Sequence, residues 1–311
     1  TFKICLVDRK IEQINYSAIP YEIIEVESIA IAVFNEMFKR YSITELNTAV
    51  KPYFFQYFFK TQSSFENFIY LDPDILVYRA FTELEEKLTT NEIVITPHFT
   101  TPINDDKNQA ENNFLNSGLY NLGFIALRKG IESEKLVNWW ANRLQTKAYV
   151  DFTNGIFTDQ LWINFAPLFF KKVHILKHPG YNMANWNMHE RLLVPEKQVI
   201  FNQLKFSLIF FHFSGYNPQK PDILSKYQNR FSLIERKDVY QLFKNYAKEL
   251  IDNGYCIYSN YPCYYAEKKK RMDLEKDISF KKSIPYYKRI FRGIVLRFIK
   301  IFKINVNYYT Q

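Results

Sequence analysis

Phe68-Ile69-Tyr70-Leu71-Asp72-Pro73-Asp74-Ile75-Leu76-Val77 is the stretch on which the fold turns. Phe68–Leu71 is apolar, too short and too rich in β-formers for a helix, and reads as a buried strand. Asp72-Pro73-Asp74 ends it, and Ile75–Tyr78 continues extended. Residues i and i+2 of a strand face the same side. Two carboxylates at the strand's carboxyl end can therefore share a divalent cation. Ligands of open α/β sheets bind at such strand ends. Hard oxygen donors suit Mg²⁺ or Mn²⁺, and such a cation can bridge a diphosphate. The tripeptide also fits a plain turn, because Asp and Pro favour turns.

On the amino-terminal side, Phe2–Val7 and Tyr21–Val26 read as strands, with a helix expected over 28–40. The chain is expected to begin inside a fold rather than before one. Ser42-Ile43-Thr44-Glu45 has capping-box spacing. Pro52 disfavours helical backbone at Lys51, which predicts a kink or restart there. The aromatic run Tyr53–Phe59 follows as a buried helix face. On the other side, 82–90 reads as a helix and Ile93–Ile95 as a strand ended by Thr96-Pro97-His98. Thr100–Asn116 is a long polar loop, and loops of that length are often functional lids. Leu122–Leu127, Val173–Leu176 and Ser207–Phe213 are expected strands; 131–145, 158–165 and 237–251 are expected helices. Strands alternating with helices predict an α/β sheet with both faces covered.

Three further constellations could carry chemistry. His212, in Phe211-His212-Phe213-Ser214-Gly215, ends an apolar strand and could complete a metal site, or be structural. Asp159, in Thr158-Asp159-Gln160, could be an N-cap or first-turn acid. Gly123, in Asn121-Leu122-Gly123, would let a backbone turn sharply or approach a ligand.

Composition bounds the rest. The chain has 311 residues, 47% hydrophobic, which suffices for one large domain or a domain with an appendage. Cys5, Cys256 and Cys263 are odd in number and lack metal-ligand spacing, which favours a reducing compartment over a disulfide framework. Residues 267–303 hold 13 of the 41 Lys/Arg and 4 of the 32 Asp/Glu, leaving a neutral remainder of 28 and 28. A basic groove for nucleic acid across the body is thus not supported.

Taken in order, these pieces resemble the glycosyltransferases of the GT-A fold, in particular bacterial relatives of the family-eight retaining enzymes. The likeness runs from about Thr44 to Tyr216 and adds Trp186-Asn187 to the motifs above. It implies a Rossmann-like mixed sheet flanked by helices, using a nucleotide-sugar donor, with a UDP-sugar favoured. It implies Asp72, Asp74 and His212 as ligands of Mn²⁺ or Mg²⁺. Lys51, Asn121 and Gly123 would face the donor, Gly215 and Lys220 its diphosphate, and Trp186 and Asn187 the sugar or acceptor pocket. Gln160 or the donor phosphate would steady an oxocarbenium-like centre, whereas an inverting member would need Asp159 as base. Two departures stand out. Family members place a Lys six residues after the metal His, where this chain has Pro218, with Lys220 two further on. The family also opens with a nucleobase-gripping strand, and this chain is expected to start after it.

The expected domains are a catalytic unit over 1–265 and a basic tail over 266–311. In the tail, Tyr287, Ile290, Phe291, Ile294, Val295, Phe298, Ile301 and Phe302 fall on one helical stripe of about 140° at 100° per residue. Lys288, Arg289, Arg292, Arg297, Lys300 and Lys303 fall outside it, a pattern suited to anionic membrane surface. Packing on the protein's own core, or in a homodimer, is the alternative. The function expected is transfer of a sugar to a glycan or lipid-linked acceptor of the bacterial surface. The expected place is cytoplasmic, peripheral on the inner face of the plasma membrane. The competing readings are a membrane-bound scaffold on a degenerate transferase fold and a haloacid-dehalogenase-type phosphatase. The latter would follow its Asp-x-Asp with a small residue, where Ile75 stands here.

Overall fold

The computed structural model describes residues 1–283 as two compact units, one over 1–262 and one starting at Cys263. The stripe from Tyr287 to Phe302 lies outside the described residues. The first unit is a mixed α/β domain assembled from several small sheets.

Strands β1 (Lys3–Leu6) and β2 (Glu22–Glu25) pair in parallel. The helix expected over 28–40 is interrupted. Ala30 takes left-handed backbone (φ 53°), and helix α1 covers only Phe34–Arg40. The β-branched Ile29, Ile31 and Val33 favour that break, since they lose side-chain freedom in a helix. Helix α2 (Ile43–Ala49) opens on the expected capping box, with Ser42 and Glu45 exchanging both bonds. Helix α3 (Lys51–Thr61) restarts at Lys51, as Pro52 predicts.

The chain continues through β3 (Asn67–Leu71), β4 (Ile75–Val77), α4 (Thr82–Thr90) and β5 (Ile93–Pro97). The long polar loop carries α5 (Glu111–Ser117) and leads into β6 (Tyr120–Arg128) and α6 (Ile131–Leu144). A short hairpin, β7 (Val150–Asp151) with β8 (Ile156–Phe157), follows. Thr158 has positive φ (43°), so no α-helix starts there. A 3-10 turn over Leu161–Phe165 runs into α7 (Ala166–Phe169) instead. Next come β9 (Val173–Ile175), β10 (Met183–Ala184) and an unforeseen antiparallel trio, β11 (Leu192–Val194), β12 (Gln198–Phe201) and β13 (Leu204–Ser207). The strand expected over 207–213 is two, because β13 ends at Ser207 and β14 spans Phe210–His212. Helix α8 (Lys237–Asp252) and the short α9 (Tyr255–Tyr258) finish the unit.

The central sheet has order β3-β6-β5-β9, with β6 antiparallel to both neighbours and β5 parallel to β9. On β6, Phe124 and Ala126 pack with Leu84 and Leu88 of α4. Ile125 and Leu127, pointing the other way by strand alternation, are also fully buried, so both faces are covered. A second sheet, β10-β14-β4, is backed by α8, where Phe213 stacks on Tyr246 with centroids 3.7 Å apart. Burying a large aromatic pair of this kind contributes on the order of several kcal/mol by area removed from water.

In the second unit, helix α10 (Tyr264–Ser283) is polar and carries a Lys269–Asp273 ion pair one turn apart. No helix among the described residues is long and apolar enough to cross a membrane.

Candidate metal centre

The two sheets meet at Asp72-Pro73-Asp74. Leu71 is the last residue of β3 in register with β6, facing Phe124. The Asp72 amide donates to the Gly123 carbonyl (2.8 Å), which fixes the first aspartate. Ile75 N–H then donates to the Asp72 carbonyl (3.1 Å), closing a tight turn. The chain crosses into the other sheet, where Ile75 faces His212 and Phe213 N–H donates to the Asp74 carbonyl (2.8 Å). The turn itself therefore gathers the carboxylates, in place of simple alternation along one strand. The turn is what brings the two carboxylates together, so a turn and a candidate metal site are not alternatives here.

Ligand atoms of Asp72, Asp74 and His212 all lie within 4.8 Å of one another. Asp74 Oδ1 is 2.9 Å from His212 Nε2. The Asp74 and Asp72 side chains are 40% and 29% exposed, while His212 is buried at 4%. Two accessible carboxylates over a buried imidazole suit Mn²⁺ or Mg²⁺, whose remaining positions would face solvent or a substrate oxygen. Among the described residues, no other trio of His, Cys, Asp or Glu converges this way. Burial acts to raise the Asp74 pKa, but the hydrogen bond and charge interaction with His212 outweigh it and hold it below the ordinary value.

Behind the carboxylates lies a second charged group. Lys51 Nζ, 5% exposed, is 3.0 Å from Asp159 Oδ2 and 3.5 Å from Asp72 Oδ1. It donates to the Leu122 carbonyl (2.9 Å) and lies 4.6 Å from the centre of the Tyr70 ring. Burial opposes its charge, but the two carboxylates prevail and hold its pKa above the ordinary lysine value. Asp159 is 2% exposed, and burial pushes its carboxyl up against the pull of Lys51. The Tyr70 hydroxyl donates to Asp72 Oδ1 (2.6 Å), and burial keeps it protonated far above its usual range. Lys51 thus positions Asp72 and Asp159.

The other expected residues divide sharply. Gln160 is an internal staple: its Oε1 accepts from Leu122 N–H (3.1 Å) and its Nε2 donates to the Ser117 carbonyl (2.8 Å). Asn121 Oδ1 meets His212 Nδ1 (3.1 Å). Gly123 is required by His212, because a Cβ there would sit 2.4 Å from the imidazole Cε1. Trp186 stands edge-on to both His98 and His212 (centroids 5.1 Å each). Its Nε1 and the neighbouring Asn185 Oδ1 are buried and find no hydrogen-bond partner among the described residues. The Asn187 amide is occupied by the backbone of Ala184, His98 and Asn182. Gly215 (φ 74°) packs against Tyr227, where any side chain would collide. Lys220 is exposed in the following loop, in a turn closed by its N–H to the Asn217 carbonyl (2.9 Å). Immediately past Trp186-Asn187, Met188 and His189 help line an open cleft of about 550 Å³ with Asp105, Arg230 and Phe231.

Sequence reading missed Tyr70 and His98. Tyr70 lies inside the quoted strand, where the two-residue spacing to Asp72 was the available signal. For His98 no local pattern exists, since its partners Leu119 and Asn121 lie over 20 residues away.

No protein-family model matches the chain. It is similar to uncharacterized protein YfnF of Bacillus subtilis (strain 168), with 27% identity over 174 residues, 54% of this chain and 55% of that protein. It is also similar to uncharacterized protein YfnD of the same organism, with 25% identity over 169 residues, 54% of this chain and 52% of that protein. The chain spans about half the length of the curated relatives it matches.

Proposed function

We propose that the chain carries the catalytic site of a metal-dependent glycosyltransferase of the GT-A type, using a nucleoside-diphosphate sugar. The observation that carries this proposal is the convergence of Asp72, Asp74 and His212 where two sheets meet, with the carboxylates open and the imidazole buried. Charge supports it. Lys51 is claimed by Asp159 and Asp72, so Asp72 and Asp74 together present uncompensated negative charge to solvent. A divalent cation held there would neutralise the diphosphate as it departs, an electrostatic contribution to transition-state stability.

The chain's own residues would do the rest. In the transfer, the bond from the anomeric carbon to the diphosphate oxygen breaks, and its electron pair leaves on phosphate. The acceptor hydroxyl oxygen bonds to that carbon, and its proton passes to the departing phosphate oxygen in a retaining course. Lys51 and Tyr70 hold Asp72 in one rotamer through this charge change. Trp186 Nε1 and Asn185 Oδ1, buried and in want of partners, are suited to the hydroxyls of a sugar. The cleft beginning at Met188 is a place for the acceptor. A lipid-linked acceptor and attachment to anionic membrane through the basic tail belong to the same proposal.

Calorimetry with Mn²⁺ and a panel of nucleotide sugars tests it. Wild-type protein should bind a nucleoside diphosphate only with the cation present, and Asp74→Asn should abolish that binding. Cation-independent binding, or none across the panel, would sink the transferase proposal.

A further inference from the structure

We infer that His98, acting through Asn121, sets the tautomer of His212, and so is a positioning residue for the metal centre. This builds on the proposed cation site and adds to it a residue outside the motifs.

The relay passes from His98 through Asn121 to His212. His98 Nδ1 lies 3.1 Å from the Leu119 carbonyl. A carbonyl only accepts, so this nitrogen carries a proton. His98 is fully buried with no carboxylate against it, and burial drives its pKa down to about 3. The ring is therefore neutral, and its other nitrogen, Nε2, is a bare acceptor. That acceptor faces Asn121 Nδ2 at 3.4 Å, and Gln160 Oε1 faces the same amide nitrogen at 3.5 Å. Two acceptors on one side orient the Asn121 amide, with NH₂ toward them and oxygen away. The oxygen lies 3.1 Å from His212 Nδ1, which must then donate. With a proton fixed on Nδ1, Nε2 is the nitrogen left to face the carboxylates, 2.9 Å from Asp74 Oδ1, and the one that can turn a lone pair to a cation. Without a cation Nε2 donates to Asp74, and a bound cation would take the place of that proton between nitrogen and carboxylate.

Sterics hold the relay in place. Trp186 stands edge-on to both imidazoles, and Gly123 leaves room for the His212 ring. Were the Asn121 amide to turn over, its NH₂ would face His212 Nδ1, which would become the acceptor. The His212 proton would then move to Nε2, and the ligand lone pair would be lost. Outer-sphere partners of ligating histidines act in this way, and losing one weakens metal affinity roughly 10–100-fold.

The test uses the whole chain and Mn²⁺ alone, with free cation read by its paramagnetic resonance. His98→Phe keeps a ring of similar shape against Phe114 and Trp186 but removes the acceptor. It should weaken Mn²⁺ binding roughly 10–100-fold. His98→Phe combined with Asn121→Asp should recover most of that loss, because a carboxylate accepts from His212 Nδ1 whichever way it faces. Nitrogen-15 histidine spectra of the Mg²⁺-loaded protein should place the His212 proton on Nδ1 in wild type and on Nε2 in His98→Phe. Unchanged Mn²⁺ affinity in His98→Phe overturns the relay, as does a loss that Asn121→Asp leaves unrepaired. If wild-type protein binds no Mn²⁺, the cation site itself is wrong. Spectra of the cation-free protein then judge the relay separately, by whether His98→Phe displaces the Nδ1 proton.

Discussion

Asp72 belongs to two charged groups, and the contrast between them is instructive. On its inner side, with Lys51 and Asp159, it is part of a closed set in which a buried ammonium answers two carboxylates. On its outer side, with Asp74 and His212, it is part of an open set that lacks such a cation. The inner set is a structural solution supplied by the chain. The outer set is the one that the proposed cation would balance. Buried ions are tolerated when paired and are costly when one partner is removed. Exposed carboxylates cost little to keep, so the outer set can wait for its counter-ion.

That contrast is most strongly broken at Lys51. Lys51→Met leaves Asp159, 2% exposed, without its partner. Removing one member of a buried pair destabilises by about 3–5 kcal/mol. Urea unfolding should show a loss of this size, and Lys51→Met with Asp159→Asn should recover a good part of it. A single-variant loss below about 1 kcal/mol, the range of exposed pairs, would mean that the inner set is not truly closed. Asp74→Asn is the opposite case. It removes a half-buried carboxylate that pairs with His212, so stability without metal should fall by about 1 kcal/mol, less than at Lys51, while cation binding disappears.

A smaller effect is expected where the groups touch β6. Gly123→Ala places a methyl 2.4 Å from His212 Cε1. Overpacking of this kind costs about 1–3 kcal/mol. Because the displaced atom belongs to a proposed ligand, Mn²⁺ affinity should fall along with the melting temperature. A destabilised variant with wild-type Mn²⁺ affinity would show that His212 is not a ligand.

The legible parts of this molecule are those that local chemistry decides. The Ser42–Glu45 capping box, the restart at Lys51-Pro52 and the helix over 82–90 depend on neighbours within four residues, and all three stand as read. The break at Ala30 and the 3-10 turn after Thr158 depend on positive φ, which a non-glycine residue does not announce. At the site, residue type and position paired Asp72 with Asp74, and the resemblance added His212. Their neighbours were not legible, since the roles of Lys51, Gln160 and Gly123 arise from contacts between α3, β6 and the segment after β8. Gln160 is the sharpest example. The resemblance implies a role for it at the reacting carbon, whereas both ends of its amide are held by backbone.

A third charged group gives the smallest effect and completes the series. Arg230 holds Asp105 through two bonds (2.7 and 3.0 Å), and its guanidinium also donates to the Gln109 carbonyl, which clasps the long loop to the segment before α8. This group has a cation supplied by the chain, like the inner set, but lies near solvent like the outer one. The Arg230 guanidinium and the Lys107 amide hold the Asp105 carboxyl at about 2, below its ordinary value. A carboxyl whose folded pKa is depressed contributes stability that is present above the unfolded pKa and is lost as pH falls through the folded one. The contribution should therefore be full above about pH 4 and fade toward pH 2. Arg230→Gln should be less stable than wild type by a constant small amount above about pH 4, with the difference closing toward pH 2. The Asp105 carboxyl carbon, followed by NMR, should titrate near 2 in wild type and close to the ordinary carboxylate value in Arg230→Gln. Equal titration in both would mean that the clasp is made by the backbone contacts of Arg230 rather than by its charge.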